Sequence, residues 1–168
     1  MIALKIKKTG PFMAKLLGED TFDLFLLEQA QIQMAVTWEI DGHLNRKFYD
    51  PETWEDPSLR PYDLMEWKKI RPHCYNIIRG KQTPAGFLFV LRLRPDLKEA
   101  MLEKAGQGQM KAFVSAFLIN IRYQDGNVQI VTGTSYSSFT LDKSAGELWD
   151  KAFVRFLTGK KIDFDLLQ

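Results

Sequence analysis

AQIQMAVTWEIDG, residues 30–42, places Ala30, Ile32, Met34, Val36, Trp38 and Ile40 on every second position, with Gln31, Gln33, Thr37 and Glu39 between them. A period of two is the signature of a strand that buries one face. Asp41 and Gly42 follow at once. That dipeptide supplies the positive φ angles of a tight primed turn, so residues 43–48 are expected to return as an antiparallel partner. The pattern recurs in residues 113–131, FVSAFLINIRYQDGNVQIV, where a strand up to Tyr123 meets Asp125 and Gly126 and residues 128–131 return. Two Asp-Gly hairpins define an α+β chain built mostly on antiparallel sheet.

Outward from these hairpins, Ile2, Leu4 and Ile6 alternate as a short first strand, and Pro11 opens a helix with Phe12, Leu16 and Leu17 on its stripe. Residues 49–63 hold Pro51, Pro57 and Pro61 among acidic residues and read as a long loop. Helical spacing resumes at Trp67, Ile70, Cys74, Ile77 and Ile78, with Pro72 inside it. Phe87, Phe89, Leu91 and Leu93 alternate in a strand expected to be central, and Pro95 opens another helix through Leu102. Residues 138–141 are a candidate third strand of the second hairpin unit. Ser144 and Glu147 have the spacing of a capping box and start a C-terminal helix over 144–158, whose face is Leu148, Trp149, Ala152, Phe153, Phe156 and Leu157. In all, three to five helices are expected.

A strand, Pro-initiated helix, strand and hairpin sequence thus occurs twice, over residues 1–48 and 85–141, joined by a connector at 49–84. Pro11 and Pro95 lie 84 residues apart, as do Gly42 and Gly126. Such an offset is the mark of an internal repeat, although the apolar parity of the long strands matches only after a one-residue shift. The repeated unit resembles one domain of the ring-shaped DNA sliding clamps in architecture alone.

A chain of 168 residues supports a single domain with one core. Apolar residues at 45% and charged residues at 26% exclude disorder over long stretches. The net charge of +2 gives no general attraction to nucleic acid or membranes, so any such function must sit in a local patch. One cysteine, Cys74, excludes an internal disulfide and any multi-cysteine metal site. The first residues interleave charge with apolar side chains, unlike a signal peptide, and no run approaches the ~20 apolar residues of a membrane span. A cytoplasmic location with no membrane association is the expectation.

Phosphate-binding loops of the Gly-x-x-x-x-Gly-Lys-Ser/Thr and Gly-x-Gly-x-x-Gly kinds are missing, as are His-Glu-x-x-His and Gly-x-Ser-x-Gly. No cofactor and no catalytic residue is therefore assigned. His73 and Cys74 are adjacent on a helix and point about 100° apart, so they cannot form a thiolate dyad there. Cys74 reads as a small buried residue, and His43 as an exposed hairpin residue. The densest local charge is Lys68, Lys69, Arg71, Arg79 and Lys81, unrelieved by any acid, a candidate anion-binding segment against the plainer reading of a solvated helix face. Tyr49, Trp54 and Tyr62 lie in the acidic loop, either tucked onto the core or shown to a protein partner. Thr132 to Ser135 (TGTS) offers hydroxyls to an anion or, more simply, a bulged strand.

Residues 21–27 (TFDLFLL), 40–45 (IDGHLN), 70–74 (IRPHC), 79–84 (RGKQTP), 132–135 (TGTS) and 139–144 (FTLDKS) together resemble an uncharacterised bacterial family described as a domain of unknown function. The resemblance spans nearly the whole chain and, because that family has no assigned activity, implies no catalytic residue. The leading expectation is a non-enzymatic binding or scaffolding module that self-associates or docks a protein partner. The alternatives are a clamp-like, nucleic-acid-associated protein resting on the basic segment, and an enzyme assembled from scattered residues such as Asp41, His43 and Cys74.

Overall fold

The computed structural model describes residues 1–168. Seven strands form one open sheet in the order β3-β2-β4-β5-β6-β1-β7, and every neighbouring pair is antiparallel. The strands are β1 (Ala3–Ile6), β2 (Phe25–Gln33), β3 (Thr37–Asp41), β4 (Gly86–Leu93), β5 (Val114–Gln124), β6 (Asn127–Tyr136) and β7 (Phe164–Leu167). Five α-helices accompany them: α1 (Thr9–Met13), α2 (Pro51–Glu55), α3 (Trp67–Ile78), α4 (Pro95–Lys104) and α5 (Ser144–Gly159). The α+β class and antiparallel sheet expected from the sequence are therefore present, and β4 lies inside the sheet as its alternation requires.

Asp125 and Gly126 make the expected tight turn, at φ 51° and 78°, between β5 and β6. Asp41 and Gly42 do not. The alternating stretch that reads as one strand is itself a hairpin: Met34, Ala35 and Val36 form the turn, and Gln33 pairs with Thr37, Ile32 with Trp38, and Ala30 with Ile40. Gly42 serves a different purpose. Its N–H donates to Glu28 O, its carbonyl accepts from Met65 N–H, and a Cβ built on it would stand 1.8 Å from Leu27 O. Glycine here lets the chain leaving β3 press onto the bulge between Leu27 and Gln29 of β2.

Other boundaries also move. The first helix begins at Thr9, ahead of Pro11, and continues as a π-helical turn, Ala14–Gly18. Residues 51–55 of the supposed loop are helical because the Asp50 side chain caps Thr53 N–H at 2.8 Å and Pro51 takes the first helical position. Residues 138–141 add no strand. The capping box at Ser144 does not form, since the Ser144 hydroxyl donates to Gln107 and its N–H to Asp142. A strand beyond the last helix, β7, pairs with β1 and carries the alternation Phe164, Leu166 against Asp163, Asp165.

Alternation puts Phe87, Phe89 and Leu91 of β4, Ile119 and Ile121 of β5 and Ile130 of β6 on one face, where all are buried in a single apolar cluster. Helix α5 lies on this face, with Trp149 stacked on Phe117 at 5.2 Å and its indole N–H on Leu118 O at 3.0 Å. Helix α3 lies beside it. Its fully buried Trp67 packs on Phe89 at 5.2 Å, and its indole N–H donates to Leu16 O at 3.0 Å. The opposite face shows Leu88, Val90, Arg92, Leu118, Asn120 and Val131, all partly exposed.

The two Asp-Gly pairs should respond differently to mutation. Gly42→Ala forces backbone apart and is expected to cost about 3 kcal/mol or more. Gly126→Ala only meets an unfavourable φ in open space, at about 1–2 kcal/mol. Urea unfolding of both variants checks the order; equal losses would mean that the packing at Gly42 is not the constraint described.

Candidate functional site

At the end of the sheet where β4 begins, the chain encloses a cleft of about 660 Å³. Its lining comes from four places: Met13 of α1 with Leu17 and Gly18 of the π-helical turn, Tyr75 and Ile78 at the end of α3, the strap from Arg79 to Pro84, and Phe87 and Tyr123 of β4 and β5. This volume falls in the range of small-molecule sites, and the mixture of an apolar floor with few polar groups is their usual character.

Each wall has a local cause. The π-helical turn widens the backbone spiral, a distortion that recurs at functional sites. Its free carbonyls are taken up by α3: Leu16 O by the Trp67 indole, and Leu17 O by Arg71 at 3.4 Å. Helix α3 stops at Arg79, whose N–H still reaches Tyr75 O, because Gly80 at φ +136° takes a conformation closed to other residues. The strap that follows regains the sheet when Ala85 N–H donates to Gln33 O at 2.8 Å. Between those two bonds, Lys81, Gln82 and Thr83 make no hydrogen bond from backbone or side chain. The same strap walls off a second cavity of about 490 Å³, with Met34, Asp125 and Tyr123 on its far side.

The floor is aromatic. Phe89, Phe87 and Tyr123 form a ladder, with ring centroids 4.7 and 5.1 Å apart and planes inclined by 24° and 15°. Its two inner rings are buried, whereas Tyr123 is only half-buried and ends the ladder in the cleft.

The basic segment named from sequence is divided by the fold. Lys68 and Lys69 both pair with Glu66, at 3.4 and 3.1 Å. Burial alone would raise the Glu66 carboxyl, but the hydrogen bonds and charges of those lysines hold it below its usual range. Arg71 is committed to Asp23 through Nε at 2.9 Å and NH2 at 3.2 Å, a pairing that raises its pKa further. Arg79 and Lys81 form no ion pair, and Arg79 lines the cleft.

The aromatic trio sits elsewhere. Trp54 is half-buried, with the Arg60 guanidinium 4.0 Å above its ring and Tyr49 at 5.8 Å. The Arg60 Nε also donates to Trp54 O at 2.7 Å, so the ring is held rather than displayed. Tyr62 reaches Asp96 at 3.5 Å, and burial raises its phenol. The exposed aromatic beside Tyr49 is Phe48, at 82%.

Asp41 and His43 do meet, with Nδ1 2.6 Å from the carboxylate, at the exposed end of β3; the His43 backbone N–H and ring lower the Asp41 pKa. Cys74 is apart from them, fully buried in the core, and burial pushes its thiol up to about 12. No cluster of three or more His, Cys, Asp or Glu side chains is arranged to hold a metal ion. Thr132 of the TGTS run is buried in β6 and holds Ile2 N–H at 2.9 Å.

Sequence reasoning missed the cleft because Met13, Leu17, Ile78, Phe87 and Tyr123 are of core type. Only Arg79, with the glycine after it, carried a signal.

The chain is thus an antiparallel α+β sheet protein with helices α3 and α5 on one face and an apolar cleft at one end. The model of the family described as "Family of unknown function (DUF5721)" matches residues 15–165, and the chain belongs to that family. No curated protein and no solved structure matches it at the level taken as significant. No helix is long and apolar enough to cross a membrane.

The buried thiol gives a direct check of the Cys74 environment. A pKa pushed from 9.0 to about 12 leaves roughly a thousandfold less thiolate at pH 8. Ellman's reagent should therefore react with the folded protein at least that much more slowly than with the chain in guanidinium. Rapid labelling without denaturant would contradict the burial.

Proposed function

We propose that this protein is a non-enzymatic binding module, cytoplasmic, whose ligand sits in the cleft between the π-helical turn, the end of α3 and the strap from Arg79 to Pro84. The observation that carries this reading is the union, in one cavity, of an aromatic floor with an arginine that has no protein partner. Apolar surface left open at the end of a core, with one charge beside it, is how binding sites gain both affinity and orientation. The groups with chemical reactivity support binding over catalysis: Asp41 and His43 lie at the β3 edge, and the Cys74 thiol is sealed in the core.

The expected docking of a protein partner through Trp54 loses its main support, since both Arg60 and Tyr49 pack on that ring. Nucleic-acid association in a clamp-like manner would rest on Arg79 and Lys81, the two members of the basic segment outside ion pairs. Two cations give a shallow dependence of affinity on salt, with a log–log slope of magnitude below about 2. The cleft is the better-supported seat.

Amide shifts in a 1H–15N spectrum, recorded while a mixture of small aromatic and aliphatic fragments is added, test the proposal. Shifts should gather on Met13, Leu17, Ile78, Thr83 and Tyr123, and Ile78→Trp, which fills the cleft from its half-exposed side, should abolish them while the variant keeps a cooperative unfolding transition. Shifts confined to the uncovered sheet face, or none with any fragment, would overturn it.

A further inference from the structure

We infer that the cleft selects an amphipathic carboxylate with a planar aromatic body: the carboxylate pairs with the Arg79 guanidinium, and the ring continues the stack that ends on Tyr123. This inference rests on the binding role proposed above and names the chemistry of the ligand.

The sign of the ligand charge follows from the cleft's own balance. Its lining residues include one acid, Glu19, and one base, the exposed Arg79. Lys15 stands 3.9 Å from Glu19, one turn away on the π-helical turn, so the acid is already accompanied by a cation. Arg79 is not accompanied by an anion. The uncompensated charge of the cleft is therefore positive, and the guanidinium fork matches a carboxylate through two parallel hydrogen bonds. Gln82 and Thr83, on the same strap, add side-chain donors that have no partner within the protein. A positively charged ligand would meet the same guanidinium with repulsion.

The shape of the ligand body follows from the floor. Phe89, Phe87 and Tyr123 are stacked nearly parallel, and stacking energies favour offset parallel rings at these separations. Trp67 closes the ladder on the Phe89 side at 5.2 Å, within the core. At the other end Tyr123 is half-buried and borders both the cleft and the second cavity, and no ring of the chain other than Phe87 stacks on it. A planar ring placed there gains stacking as well as apolar burial, whereas a flexible acyl chain gains burial alone and loses more conformational freedom. A volume of about 660 Å³ accommodates a bicyclic body with its head group.

Titrations with three probes separate this inference from the broader binding role. 2-Naphthoate, 2-naphthamide and octanoate are added to the full chain, and affinity is read from the amide shifts of cleft residues. The expected result is that 2-naphthoate binds roughly tenfold or more tighter than the amide. It should also bind more tightly than octanoate. The gap between acid and amide should close in Arg79→Gln and reopen in part in Arg79→Lys, which keeps the charge and loses the fork. Equal binding of naphthoate and naphthamide would overturn the charge assignment, and octanoate binding as tightly as naphthoate would overturn the planar body. In both cases cleft shifts would persist and the binding role would stand. If other fragments shift the cleft amides and none of the three probes does, the ligand class alone falls. If no fragment and no probe shifts them, the site itself falls.

Discussion

Trp67 is the side chain through which the sheet, helix α3 and the π-helical turn are joined. Its indole is fully buried against Phe89 of the sheet, and its one polar atom must find an acceptor there, since an unmade bond in the core costs about 1–3 kcal/mol. The acceptor is Leu16 O, a carbonyl that the π-helical turn leaves free. A single ring thus fixes sheet, helix α3 and the distorted first helix relative to one another. One turn further along α3, Arg71 repeats the arrangement with Leu17 O and Asp23. The cleft lies just beyond these two anchors, and its walls are the parts of α3 and the π-helical turn that the anchors leave apart.

The fold class was legible in the alternation of residues 30–42 and 113–131, but the position of the first hairpin was not, and the reason is arithmetic. In β2 and β3, paired residues such as Ile32 and Trp38 have the same parity, so the apolar alternation runs through the turn without a break. In β5 and β6, pairs such as Ile121 and Ile130 differ in parity, so the alternation changes phase at Asp125 and Gly126 and the turn shows itself. Pattern alone therefore sees a long strand in the first case and a hairpin in the second. Gly42 added to the confusion, because close approach to Leu27 O and a positive φ demand the same residue. Strand β7 was legible in hindsight from Phe164 and Leu166.

The site was less legible than the fold. Whether a basic side chain is free depends on acids far away in the chain: Asp23 neutralises Arg71 across 48 residues, a pairing that no local window contains. Arg79 escapes because the glycine after it turns the chain away from α3. Likewise Phe87 and Tyr123 are core residues by type and alternation, and only the ending of the α3 layer short of Tyr123 leaves that ring half-open. Trp54 shows the converse. Its acidic, proline-rich surroundings left open whether it is tucked in or displayed, and it is Arg60, six residues on, that lies over the ring.

The even pairing of β2 with β3 also governs how this gene can change in length. Adding or removing one residue among Met34, Ala35 and Val36 would rotate β3 by half a turn, carrying Ile40 to solvent and Glu39 toward the core. It would also move Gly42 off its seat on Leu27. A change of two residues restores the faces of β3 but still leaves Gly42 two positions off its seat. A three-nucleotide indel at this turn, harmless to the reading frame, is thus not harmless to the sheet, and a six-nucleotide one spares the faces of β3 but not the seat of its glycine.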